Sequence, residues 1–119
     1  MTYLSLINRN AILVAYKQPF IDWIKRADPA PHPDQGSDDF YQEENTLYLL
    51  PEFGDAKEMW QIIEGCYEDI FANELYSWYT DEDLWPENRS FELFKEWFDI
   101  KAHSMIYDLV DDEIVKEEE

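Results

Sequence analysis

The chain is 119 residues long and carries 28 Asp and Glu against 9 Lys and Arg, a formal net charge of −19. That surplus of carboxylates argues against direct nucleic-acid binding, which rests on Lys and Arg neutralising phosphates, and against an anionic membrane surface. Hydrophobic residues make up 45% of the sequence and aromatics 17%, too much for a disordered acidic chain, so one folded domain spanning 1–119 is expected.

The first ten residues, Met1 to Asn10, hold no basic stretch ahead of an apolar core and no small-residue cleavage site, so they do not read as a signal peptide. The longest uninterrupted apolar run, Ala11 to Tyr16, is six residues, where a membrane span needs about twenty. Cys66 is the single cysteine; an intrachain disulfide is impossible and a reducing compartment suits it. A soluble cytoplasmic protein is the expectation.

In chain order, Asn10 to Tyr16 is a short β-branched run with the pattern of a strand buried on both faces. Lys17-Gln18-Pro19 ends it, and Pro19 fits the first turn of a helix in which Phe20, Ile21, Trp23, Ile24 and Ala27 share one face. From Asp28 to Glu44 three prolines, Gly36 and six acids mark a surface loop, with a helical turn over Asp38 to Glu44. Thr46 to Leu50 is a second strand, stopped by Pro51. Asp55 to Tyr79 is the longest periodic segment. Its apolar arc, from Met59 to Trp78, is wider than the usual stripe of ~100°, which implies a helix set against a sheet and covered by another segment. That cover is Leu84-Trp85-Pro86 followed by a helix from an N-cap at Ser90 to Trp97. Asp99 to Val110 alternates as a third strand, with Ile100, Ala102, Ser104 and Ile106 on one side and Lys101, His103, Met105, Tyr107 and Leu109 on the other. Residues 111–119 form an acidic tail that frays. The fold class is therefore α+β, in the order β-α-β-α-α-β, with a small three-stranded sheet, two main helices and one short one. A right-handed crossover through the first helix would make the first two strands parallel.

Several runs in this order form a recognisable set: Asn8-Arg9-Asn10-Ala11, Lys17-Gln18-Pro19-Phe20-Ile21-Asp22-Trp23, Leu47-Tyr48-Leu49-Leu50-Pro51-Glu52, and Trp78 through Arg89. Together with Trp97-Phe98 and His103-Ser104-Met105 they resemble a family of small acidic bacterial proteins to which no activity is attached. The likeness covers nearly the whole chain. It implies a bacterial cytoplasmic origin and one intact domain, and it brings over no catalytic, cofactor-binding or metal-binding residue.

Function has to be sought in the residues themselves. Charge is unevenly placed: residues 1–27 hold one acid and four bases, net +3, whereas 28–119 hold 27 acids and five bases, net −22. Such a field favours encounter with a basic partner. It suits a protein-protein module or an acidic mimic of nucleic acid, and equally a solvated face that keeps the chain soluble. Glu74 falls near the centre of the apolar arc, where a carboxyl either has a raised pKa, open to a general acid or base role, or pairs with a base such as Arg89, unless the helix bends near Asn73. If Arg89 is that base, removing it costs about 3–5 kcal/mol. Lys17 and Glu52 each close a strand, so parallel strands would set Lys17, Gln18, Asp22 and Glu52 along one edge, a usual ligand site. A polar cleft made from Lys17, Glu52, Glu74, Asp81, Arg89 and His103 is accordingly the enzymatic or ligand-binding alternative.

The aromatic surplus offers a second surface. Trp78, Tyr79, Trp85, Phe91 and Trp97 crowd one stretch and form either core or an interface, with a second copy of the chain as one partner. Two histidines, His32 and His103, and one cysteine cannot supply a zinc set. Asp34, Asp38 and Asp39 do not match a calcium loop, and no serine stands in a Gly-x-Ser-x-Gly context. Three glycines leave little for a phosphate cradle. Cys66 lies on the apolar arc and reads as a buried thiol rather than a nucleophile. No catalytic residue, cofactor or metal is assigned, and the leading expectation is non-enzymatic association with a basic or aromatic-binding protein partner through the acidic face or the Trp/Tyr-rich segment.

Overall fold

The computed structural model describes residues 5–28 and 39–117. Its elements are β1 (Ser5–Leu6), β2 (Asn10–Tyr16), α1 (Gln18–Ala27), α2 (Asp39–Gln42), β3 (Asn45–Leu50), α3 (Ala56–Trp78), a 3-10 helix (Glu82–Leu84), α4 (Phe91–Trp97), β4 (Phe98–His103) and β5 (Tyr107–Asp108). The class is α+β: a three-stranded sheet in the order β3-β2-β4 with helices packed on it, and a small β1-β5 sheet beside it. Most of the expected acidic loop, residues 29–38 with His32 and Asp34, lies outside the described residues.

The expectation of parallel strands is overturned. β3 runs antiparallel to β2, from Asn10 opposite Leu50 to Ala15 opposite Asn45. β4 runs antiparallel on the other side, from Ala11 opposite His103 to Tyr16 opposite Phe98. The chain leaves the sheet at Tyr16 and re-enters beside that same end at Asn45, so no crossover along the sheet takes place. Lys17 and Glu52 therefore stand at opposite ends of a seven-residue strand, about 20 Å apart at ~3.4 Å per residue.

β2 is central because it buries Ile12, Val14 and Tyr16 against the helices, along with Asn10 at its start. The expectation that both of its faces are buried holds only in part: on the outward face Ala11 is buried, 2% exposed, and the rest is not. Leu13 and Ala15 point the other way and are only half-buried, shielded by neighbouring strands rather than by a second layer. Asn10 earns its buried place by donating through Nδ2 to the Phe53 carbonyl at 3.1 Å, which fastens the β3-to-α3 connection to the end of the sheet.

α3 starts where the sequence signals it. The Asp55 carboxylate accepts from the Glu58 N–H at 2.9 Å, and the Glu58 carboxylate accepts from the Gly54 N–H at 2.9 Å. These two bonds satisfy donors that the first turn would leave open. Its wide apolar arc has the expected explanation, with one side meeting the sheet through Met59, Ile63, Ile70, Phe71 and Leu75. Another side is overlain by α4, where Phe91 meets Tyr67 at 5.1 Å between ring centres and Phe94 meets Phe71 at 6.0 Å. Ser90 caps α4 by accepting from the Leu93 N–H. Phe20, from α1, lies at the middle of the aromatic core, 4.4 Å from Tyr16 and 4.8 Å from Phe98.

The expected third strand, 99–110, is broken in two. Leu6 pairs with Tyr107 and Ala11 with His103, so residues 7–10 on one side face only 104–106 on the other. One extra residue in the N-terminal strand interrupts the ladder, as a β-bulge does. Beyond the interruption β1 and β5 continue as a two-stranded ribbon, and Ile7 N–H still donates to the Ile106 carbonyl at 2.9 Å. β1 itself had no sequence signal, because two residues are too few for a periodic pattern. Beyond β5, residues 111–117 are exposed and without helix or strand.

Candidate functional site

The most distinctive polar arrangement is built around Glu74. Alternation places Tyr16 of β2 and Thr46 and Tyr48 of β3 on the helix-facing side of the sheet, and α3 lays Glu74 directly over them. Its side chain is 1% exposed. Glu74 Oε1 accepts from the Tyr16 hydroxyl at 3.0 Å and the Thr46 hydroxyl at 3.2 Å, while Oε2 accepts from the Tyr48 hydroxyl. Trp78 Nε1 in turn donates to the Tyr16 oxygen at 3.0 Å and Asn73 Nδ2 to the Tyr48 oxygen at 2.8 Å. The Trp78 indole N–H and the Asn73 amide N–H can only donate, so both tyrosines receive one bond and pass one to the carboxyl. Burial, and then the neighbouring Glu74, push both phenols upward in pKa, against the opposing effect of Trp78 and Asn73.

The sequence singled out Glu74 and missed its partners. The signal that would have found them is the parity of β3, whose hydroxyl-bearing Thr46 and Tyr48 alternate with Leu47 and Leu49. In this strand Thr46, Tyr48 and Leu50 face inward, and Asn45, Leu47 and Leu49 face outward. The expected ion pair with Arg89 does not form. Arg89 is exposed, donates to the Pro86 carbonyl at 2.7 Å and lies over the Trp85 ring at 5.7 Å.

The remaining members of the expected polar cleft are dispersed. Lys17 is exposed at the start of α1 and donates to the Lys95 carbonyl at 2.9 Å. Glu52 is exposed at the other end of the sheet, and Asp81 is exposed as the N-cap of the 3-10 helix, accepting from Asp83 N–H at 3.0 Å. His103 ends β4 on the outer face, opposite to the side that holds Glu74. The geometry that would gather these groups required parallel strands, and the antiparallel register removes it. Gln18 and Asp22, placed on the same hypothetical edge, instead bond to each other at 2.9 Å along α1.

The candidate interface aromatics belong mainly to the core. Trp97 is buried, and Trp78, Tyr79, Trp85 and Phe91 are half-buried against the main cluster. Their polar atoms are used internally: Tyr79 donates to the Ile24 carbonyl and Trp85 Nε1 to the Tyr79 carbonyl at 2.8 Å. Burial raises the Tyr79 phenol pKa, with Asp28 and Tyr41 adding to it. Trp85 also forms one wall of an open depression on the outer side of α3, completed by Asp69, Ala72, Asn73 and Tyr76. Here an aromatic wall meets a carboxylate.

No three His, Cys, Asp or Glu side chains among the described residues stand close enough to hold a metal ion. Cys66 is half-buried, and burial, followed by the nearby Asp69, raises its thiol pKa. No helix among the described residues is long and apolar enough to cross a membrane. Compared with family models, with curated proteins and with solved structures, the chain matches none.

Proposed function

We propose that the protein acts by association with a basic protein partner rather than by catalysis, and that the helical side is the contact surface. The observation that carries this reading is the depression on α3. Asp69 supplies a carboxylate, Tyr76 and Trp85 supply ring faces, and Asn73 supplies a polar side chain beside them. A lysine or arginine side chain fits that chemistry, because a cation is attracted both by the carboxylate and by the quadrupole of an aromatic face. Arg89 over Trp85 is an instance within the chain itself. The surrounding potential favours the same partner, since nine Lys and Arg cannot neutralise 28 carboxylates and long-range attraction speeds encounter with a cationic surface.

Titration calorimetry with a lysine- and arginine-rich peptide tests the proposal. Binding that weakens with salt, and that falls at least about tenfold in Asp69→Asn and Tyr76→Ala, supports it. Absence of binding, or equal binding by parent and variants, overturns it.

A further inference from the structure

We propose that a second copy of this chain covers the open outer face of the sheet, making the protein a homodimer through a surface separate from the acidic helical side. The starting point is the reversed polarity of β3. Its hydroxyls turn inward to Glu74, and Leu47 and Leu49 turn outward, 64% and 50% exposed. Register places Leu13 of β2 beside Leu47 on this face. In a sheet with one solvated face the outward positions are ordinarily polar, so two adjacent outward leucines call for a cover.

The exposed apolar side chains do not end with the three-stranded sheet. From the end of β4 onward, His103, Ser104, Met105, Tyr107 and Leu109 are exposed, whereas Ile106 and Asp108 are half-buried. Leu6 stands opposite Tyr107 and is exposed with it. The ribbon next to the sheet thus presents further exposed apolar side chains, Leu6, Tyr107 and, at its approach, Met105. From their fractional exposures these side chains present on the order of 600 Å² of apolar surface. That is the upper end of what a monomer leaves open, and most of the roughly 800 Å² each partner of a stable complex buries. A two-stranded ribbon is also marginal in water without a further layer.

Charge decides in favour of a second copy. On a chain of net charge −19, two copies repel wherever acidic surfaces approach. On the three-stranded part of the outer face the charged side chains are Asp99 and Lys101, of opposite sign and two residues apart on β4. A two-fold axis between them sets each Asp99 against the other copy's Lys101, the reciprocal contact of an isologous interface. A basic partner would gain nothing from this neutral face and would be drawn to the acidic side instead.

Sedimentation equilibrium of the full chain tests the proposal. The expected mass is twice 14.4 kDa, with association strengthening between about 0.05 and 0.5 M salt as the mutual repulsion of the acidic bodies is screened. The double variant Leu47→Lys/Leu49→Lys is expected to weaken association at least about tenfold. Met105→Glu lies outside the paired strands and repeats the test if the double variant does not fold. Both are expected to keep the parent's affinity for a basic peptide, which separates this surface from the α3 depression. A monomer at all salt concentrations, or folded variants that associate as the parent does, overturns the proposal.

Discussion

The Tyr16 hydroxyl lies 3.0 Å from Glu74 Oε1 and 3.0 Å from the Trp78 indole nitrogen, so it donates to the one because it accepts from the other. Tyr16→Phe removes both bonds at once, leaving a buried carboxyl short of a donor and an indole N–H without an acceptor. The expected loss is about 1–3 kcal/mol, read from urea unfolding with an unchanged slope. Tyr48→Phe should cost less, because Asn73, its other partner, is exposed and can turn to water. Equal losses in the two variants would contradict this account.

Arg89→Ala provides the contrast. Were Arg89 the counter-ion of Glu74, its removal would cost about 3–5 kcal/mol. Its observed contacts are a single carbonyl and the face of Trp85, both at the surface. The expected change is below about 1 kcal/mol by the same unfolding measurement.

Alkaline pH should weaken the fold through the same cluster. The phenols of Tyr16 and Tyr48 have ordinary values of 10.0 and are raised in the folded chain by burial. A group with a raised folded pKa keeps its proton in the native state after the unfolded chain has lost it. Above pH 10 the unfolded state therefore binds fewer protons, and stability falls as pH rises. Below that value the contribution is complete. Urea midpoints measured across this range should decline for the parent, and decline less steeply for Tyr16→Phe/Tyr48→Phe. Tyrosinate absorbance from these two side chains should appear together with unfolding.

The start of α3 offers a local test. Asp55 caps it by accepting from Glu58 N–H at 2.9 Å, and Asp55→Ala should lower stability by about 1 kcal/mol. Asp55→Asn or Asp55→Ser should restore most of it, since either side chain can accept the same bond.

Cys66 should react sluggishly. Burial raises its thiol pKa and Asp69 adds to the effect, which reduces the thiolate fraction at neutral pH and limits access. A thiol-specific disulfide reagent should label the folded chain at least about tenfold more slowly than the urea-unfolded chain. Matching rates would show the thiol to be open.

The main elements, β2, α1, β3, α3 and α4, were legible along the chain because their signals are local. Proline at the start of α1, the caps at Asp55 and Ser90, and the period of α3 each depend on residues within a few positions of one another. The sequence by itself also pointed to Glu74, since a carboxylate in an apolar arc is visible from spacing alone. The tertiary structure decided what that carboxylate meets. Tyr16 and Tyr48 lie 58 and 26 positions from Glu74 in the chain, and whether they face it depends on strand direction and register, which no local pattern encodes. The antiparallel pairing of β2 and β3 did two things at once: it brought three hydroxyls under Glu74 and sent Lys17 and Glu52 to opposite ends of the sheet. The same register turned Leu47 and Leu49 outward and Thr46, Tyr48 and Leu50 inward, so the alternation of β3 acquired its sense only when the sheet closed against α3.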